Sequence, residues 1–475
     1  MEIHSNDFKA RAREALADKD LQKALKLVQV KFVPNRAGAV NEFGGFDDFE
    51  RLRDAGRDIR NRALENLDLW LERFEREATR RGAQVHWAKD AEEANAIIVD
   101  IAQKNGVKKV VKSKSMVSEE CGLNDALEAA GVTPIETDLG EYILQINDHE
   151  PPSHIVAPVI HKTREQVTEL FHEKHGKPRT EDISALCREA REVLRPHFLS
   201  ADMGISGANF LVAETGSTVI VTNEGNGRLC TTVPRIHVAL TGIEKVVPTL
   251  EDLSVLLRLL PRSATGQSIT NYVSMNTGIA GAEDSDGPRQ FHIVLLDNGR
   301  SRVLGSELKE MLRCIRCGAC MNHCPVYQAV GGHAYGWVYP GPMGSVLTPS
   351  YAGMEHAHEL PHTATGCGQC SAVCPVRIPL PELMRKEREM QVSAGLRPWQ
   401  ERLSLKLWGW SARHPGLYGF GTSLAVRFLK WLGGGDKLIH RLPLAGGEWT
   451  GGKDFPAPAG RTFRELYKAQ KENGQ

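Results

Sequence analysis

The run Cys314-Ile315-Arg316-Cys317-Gly318-Ala319-Cys320-Met321-Asn322-His323-Cys324-Pro325 decides how the rest of the chain is read. Further along stands Cys367-Gly368-Gln369-Cys370-Ser371-Ala372-Val373-Cys374-Pro375. The first run is the C-x2-C-x2-C-x3-C-P spacing with which bacterial ferredoxins hold iron–sulfur cubanes. The second repeats it without its first cysteine, because Ala364 occupies that place. Each iron of a cubane takes one protein thiolate, and cysteines at i, i+3 and i+6 wrap a small cluster without a long loop. The fourth cysteine, stopped by a proline, ligates the other cluster in two-cluster ferredoxins. The spacing therefore predicts a crossed arrangement. Cys314, Cys317, Cys320 and Cys374 would hold cluster 1, and Cys324, Cys367 and Cys370 would hold cluster 2. Structural zinc is the alternative, but it needs four ligands, commonly in C-x2–4-C pairs, and the third cysteine and the C-P cysteine are surplus to it. Disulfides suit thiols packed this closely less well than metal does.

Two [4Fe-4S] clusters are thus expected, with one iron of the second lacking an evident cysteine. His362, Thr363 and Thr365 lie near that gap in sequence. A [3Fe-4S] cluster or an open iron would need no replacement ligand.

The rest of the composition is neutral ground. Among 475 residues, 59 Lys and Arg balance 59 Asp and Glu, so no basic field points to nucleic acid and no acidic excess points to a disordered tail. The length suggests about two to four domains. Cys121, Cys187 and Cys230 are scattered, as expected of reduced structural residues in a reducing compartment. The polar start, Met1 to Phe8, lacks the apolar run of a signal peptide. No stretch approaches the ~18–20 apolar residues of a spanning helix. A cytoplasmic protein is expected, with peripheral membrane contact left open.

Residues 1–81 read as helical. Asp7 to Gln29 carries Phe8, Ala12, Leu16, Leu21 and Leu25 at helical spacing, and Phe49 to Arg81 continues with Leu52, Ile59, Leu64, Leu71 and Phe74. The charges between them alternate in sign, the pattern of a solvated face.

Residues 82–302 read as an α/β domain. Gln84–Trp87, Val107–Val111 and Val132–Glu136 read as strands, with helices over Asp90–Asn105 and Ser118–Ala130 between them. That alternation predicts a parallel sheet with ligands at the carboxyl ends of its strands. Asp148–Lys162 reads as a loop, Arg164–Phe171 and Glu181–Phe198 as helices. Asn209–Ala213 and Thr218–Thr222 read as a hairpin, Asn223–Arg228 as a loop. Ile236–Leu240 and Lys245–Val247 follow as strands, then a helix over Leu250–Leu260.

Residues 303–394 read as the cluster domain, with helices at Glu307–Leu312 and Leu380–Val392 and a loop from Tyr327 to His362. Flanking helices favour a helical two-cluster module over the small β-hairpin ferredoxin. Residues 395–475 form an aromatic-rich tail with Trp399, Trp408, Trp410 and Trp431, ending in a helix from Arg461. Its apolar stretch to Leu432 suits either a partner or membrane surface or the cover of a neighbouring domain.

Outside the cysteines, Lys112-Ser113-Lys114-Ser115 follows a strand and precedes a helix, where an anion is favoured. Glu214 and Glu224 lie at turns that could face the same cleft as proton acceptors; solvated lysines and capping glutamates are the commoner use of such residues. His237, His323 and His333 read as core or loop residues. No G-x-G-x-x-G follows a strand and no Walker loop is present, so a nicotinamide or flavin is unsupported.

Taken together, Val212-Ala213-Glu214-Thr215-Gly216-Ser217, Thr222-Asn223-Glu224-Gly225-Asn226 and the two cysteine runs through Cys374-Pro375-Val376-Arg377-Ile378-Pro379-Leu380 resemble the lactate utilisation protein B family. The resemblance covers nearly the whole chain, tail included. It implies an α/β domain similar to sugar-phosphate isomerase and CoA-transferase folds, joined to a two-cluster ferredoxin-like domain. It also implies an iron–sulfur subunit of an L-lactate oxidation system, working with the other subunits of that system. The same seven cysteines carry over as ligands, and a second cluster short of one cysteine is usual in the family. Lactate itself rests on the resemblance alone, and the electron acceptor stays unknown. Two alternatives stand beside this reading: an α/β domain that is itself a catalytic or small-carboxylate-binding site with the clusters as its electron outlet, and an assembly scaffold whose clusters are structural.

Overall fold

The computed structural model describes residues 3–443, 446–447 and 449–472. They form two compact units, Met1–Gln391 and Val392–Gln475.

The first unit is built on a six-stranded sheet. Its strands are β1 (Ala83–Ala88), β2 (Lys109–Lys112), β3 (Thr133–Glu136), β4 (Met203–Ser206), β7 (Ile236–Gly242) and β10 (Gln290–Leu296). They lie in the order β1-β10-β7-β4-β2-β3, and every pairing is parallel. Parallel sheets are covered on both faces, so their central strands are apolar throughout. β7 is buried at every residue and β10 at all but its first. The sequence reading lacked β4 and β10. β4 is four residues long and contains Gly204, where a Cβ would lie 1.8 Å from the Cys230 carbonyl oxygen. A glycine there lets the helix Asn226–Thr232 lie on the strand, and that helix replaces much of the loop expected at Asn223–Arg228.

A second sheet contains β5 (Phe210–Val212), β6 (Ser217–Thr222), β8 (Val246–Val247) and β9 (Tyr272–Asn276), in the order β8-β5-β6-β9. β5 and β6 form the expected antiparallel hairpin, although it belongs to this small sheet and not to the parallel one. The helix expected over Ser118–Ala130 is two helices, Met116–Cys121 and Leu123–Ala129, because Gly122 between them is left-handed.

The N-terminal helices are also shorter than the periodicity suggests. The first stops at Ala17, where Asp18 caps the next by accepting from the amides of Asp20 and Leu21. The long one is divided at Asn66 into Phe46–Glu65 and Leu67–Arg80. Phe49, Leu52, Ile59 and Leu64 share one apolar core with Met311, Leu312, Ile315 and Val376. Their burial therefore braces the cysteine region directly.

Between the cysteine runs the expected loop is largely helical. Pro325–Val330 is a helix, and Gly341–Ala352 is a second one that is buried along most of its length. Pro342 sits in the first turn, where its missing N–H costs nothing. Small and apolar residues on all sides suit a helix enclosed by its neighbours.

The second unit holds helices Trp399–Ala412 and Pro415–Leu432, a short pair β11 (Leu438–Ile439) and β12 (Phe455–Pro456), and helix Phe463–Glu472. Trp399, Trp408, Trp410, Phe420 and Trp431 are exposed. Among the described residues, no helix is long and apolar enough to cross a membrane.

Candidate metal centre and the adjoining cavity

The two cysteine runs fold alike. After Cys317 and after Cys367 comes a glycine at φ 77°, which opens a four-residue helix carrying the next cysteine. That left-handed step is cheap only for glycine. Arg316 and Arg377 are left-handed too, at φ 57° and 51°. Non-glycine residues there mark strain held by the surroundings. At these bends backbone N–H groups turn toward sulfur. The Arg316 amide donates to Cys314 Sγ at 3.4 Å, and the Ile378 amide to Cys374 Sγ at 3.3 Å. Backbone amides also reach Cys317, Cys324, Cys367 and Cys370.

Cys320 interacts with Cys317, Cys314 and Cys374, and more weakly with Cys370. Cys324 interacts with Cys367, and Cys370 with both of them. Burial, then neighbouring sulfurs, pushes the Cys320 thiol well above its usual range and Cys370 to about 12. Crowded thiolates in so apolar a place need a cationic core. The donor set, all sulfur with amides aimed at it, fits iron–sulfur ligation.

Cys324, Cys367 and Cys370 line a common cavity with Thr363, Ala364 and Thr365. Ala364 thus borders the position its missing thiolate would fill. Thr363 Oγ1 donates to the Leu360 carbonyl, while His362 is bonded to Gln391 and does not border the cavity. Cys367 is exposed, whereas Cys317 and Cys374 are buried. Cys324 and Cys370 are buried as well, and Cys314 and Cys320 are partly buried, so Cys367 is the most exposed of the seven.

A buried ionic network joins the first group to the α/β domain. Arg300 donates to both Glu120 oxygens at 2.9 Å and, through Nε, to Glu244 at 2.7 Å. Tyr339 donates to Glu120 at 2.5 Å. Arg316, from inside the cysteine run, lies 3.4 Å from Glu244 and over the Tyr339 ring. Burial alone would raise the Glu244 carboxyl, but Arg300 and Arg316 outweigh it and hold it at about 2.

Beside this network opens a cavity of about 500 Å3. Its walls include Ser113, Asp138, Gly207 and Lys245, which follow the carboxyl ends of β2, β3, β4 and β7, the edge where parallel sheets bind ligands. Arg316 and Tyr339 close it from the cluster side. Of the residues singled out in sequence, Lys112 is buried against Glu136 at 2.6 Å, and Lys114 pairs with Asp138 at 3.1 Å. Both charges are therefore already matched. Ser115 caps the helix that follows. Glu214 accepts from the Leu250 amide and has no part in the cavity, while Glu224 lines it. His237 is a core residue bonded to Ser206 and stacked on Phe291, and His323 bonds the Ala319 carbonyl. His333 meets Glu150 and His161, tying the Asp148–Lys162 loop to the cysteine region. Lys245 and Arg316 were not legible as cavity residues. One follows a strand end and the other occupies a spacer position, and only the fold brings them together.

Three family models cover most of the chain: LUD domain over residues 71–296, 4Fe-4S dicluster domain over 310–378, and lactate utilisation protein B, C-terminal, over 383–472. A lactate utilization protein B of Bacillus pumilus is 45% identical, with 100% of each chain covered. One from Lysinibacillus sphaericus is 45% identical over 98% of each chain. The electron transport protein YkgF of Escherichia coli K12 is 42% identical over 99% of each. With such identity sustained from end to end, the chain belongs to the lactate utilization protein B family.

Proposed function

We propose that this chain is the iron–sulfur electron-transfer subunit of an L-lactate oxidation system, passing electrons singly through two clusters to an acceptor. The observation that supports the reading is the nearness of sulfurs from the two runs: Cys320 lies in the field of Cys317, Cys314 and Cys374, and Cys370 in that of Cys324 and Cys367. Iron–sulfur clusters held there would each take up and release one electron at a potential set by their surroundings. The protein's part is to set those surroundings. Ile315 and Ala319 are buried and keep water from the first group. Amides aimed at sulfur stabilise negative charge on the ligands. The second group, with three cysteines and a threonine-lined gap, suits a cubane with an open iron or a three-iron cluster.

Placement supports one direction of flow. The first group adjoins the α/β cavity and the second lies by exposed Cys367. Electrons would enter on the Arg316 side and leave on the Cys367 side, through other subunits of the system. Two relatives, named lactate utilization protein B and uncharacterized electron transport protein YkgF, support lactate as the donor and electron transport as the role.

Anaerobically purified full chain, mixed with the other proteins of its system, should lose visible cluster absorbance when L-lactate is added. If dithionite bleaches the chromophore but lactate does not, the assignment to lactate fails. If neither does, the clusters are structural and the electron-transfer role fails.

A further inference from the structure

We infer that the cavity between the α/β domain and the first cysteine group binds a small monocarboxylate, with Lys245 and Arg316 as its anion-holding side chains. The inference rests on the proposed function only for the choice of lactate and pyruvate as probes. The observation behind it is two buried cations with unused donors facing one cavity. Lys245 is 5% exposed, and its ammonium makes no hydrogen bond or ion pair among the described residues. The Arg316 side chain is 8% exposed, and its Nη1 has no partner. Buried charges are ordinarily paired, since an unpaired one costs several kcal/mol. Cys314 and Glu244 offset part of both charges, and an anion in the cavity would give the unused donors a partner.

The charge balance selects a monoanion. The ionisable residues in the wall are Lys114, Lys245, Arg316, Asp138 and Glu224. Lys114 is matched by Asp138, and Arg316 is partly matched by Glu244 behind it. Within the wall itself three cations face two carboxylates, an excess of one positive charge that Glu244 behind it reduces. A carboxylate meets that excess, whereas a phosphate dianion overshoots it beside two acidic residues.

The polar lining also suits a ligand that carries a hydroxyl. Asn226 is buried, and its Oδ1 has no partner. Thr137 Oγ1 donates to the Lys112 carbonyl at 2.6 Å, so it can only accept from Asn226 Nδ2. That fixes the amide with its oxygen free as an acceptor. Glu224 accepts from the Leu139 amide and lines the same space. The cavity exceeds the size of a three-carbon acid, leaving room for ordered water. Burial, and then Arg316, lowers the Lys245 ammonium to about 7, a tendency a bound carboxylate would reverse.

Titration calorimetry on the anaerobically purified, cluster-loaded full chain tests this with L-lactate, pyruvate and inorganic phosphate. Saturable binding of lactate or pyruvate, in preference to phosphate, is expected. Lys245→Met should weaken it ~30-fold or more, the loss that follows removal of one partner of a buried charge pair, while iron content and dithionite reduction stay at wild-type levels. In the wild-type chain, pyruvate should also slow acylation of Lys245 by an amine reagent, read by peptide mass. No binding at millimolar acid, a preference for phosphate, or Lys245 acylation indifferent to pyruvate would each overturn the inference. Because dithionite reduction is followed in the same samples, failure here is distinguishable from failure of the electron-transfer reading.

Discussion

Cys317→Ser is expected to stop lactate-driven electron flow through the assembled system while the chain stays folded. Cys317 is buried at the centre of the first group, in contact with the field of Cys374 and Cys314. A serine oxygen is a poor substitute for a soft thiolate at iron. The loss should exceed the ~10–100-fold that removal of an outer hydrogen-bond partner costs a metal site. Steady-state transfer from lactate to an artificial acceptor reads the effect, and circular dichroism checks the fold. Undiminished transfer would sink the view that current passes through the first group.

Arg300→Met should be the most damaging substitution remote from sulfur. Arg300 is fully buried and serves Glu120 with two hydrogen bonds and Glu244 with a third. Its loss leaves buried Glu120 with hydrogen bonds from Tyr339 and Asn298 but no guanidinium, and Glu244 with Arg316 alone. Breaking a buried ion pair by removing one partner costs about 3–5 kcal/mol, a large share of the ~5–15 kcal/mol that holds a domain together. The urea midpoint should fall accordingly. Adding Glu120→Gln to Arg300→Met should recover part of the loss, because the two residues are coupled. A change below ~1 kcal/mol, typical of exposed pairs, would show that the network is not what locks the α/β domain to the cysteine region. Arg316 and Tyr339 belong to the same network and also wall the cavity. Loss of Arg300 should therefore disturb ligand binding and cluster environment together.

What the sequence discloses follows the range of the forces involved. Cysteine spacing is local and chemically demanding, so the 4Fe-4S dicluster domain and the cysteine missing at Ala364 are legible residue by residue. Strand–helix alternation from Gln84 to Glu136 is also local, and the parallel sheet follows from it. Strand β10 is strongly apolar, yet its partners β1 and β7 are distant in sequence, and a window around Gln290 contains no sign of them. Helix Gly341–Ala352 is written in glycine and proline, which signal a loop until burial on all sides is known. The cavity is the furthest from local pattern. Lys112 and Lys114 have the look of anion-binding residues, but Glu136 and Asp138, one strand over, neutralise both. Lys245 and Arg316 carry no motif and gain their roles from a meeting across the α/β and cysteine regions.

The central claim is that the fourth cysteine of each run serves the other run's cluster. EPR of the dithionite-reduced chain, with iron counted, tests it in four variants. Cys317→Ser and Cys374→Ser should alter one signal, and Cys324→Ser and Cys370→Ser the other, in a wild type holding about seven or eight irons. If Cys374→Ser instead changed the signal that responds to Cys370→Ser, each run would hold its own cluster and the crossed arrangement would be wrong.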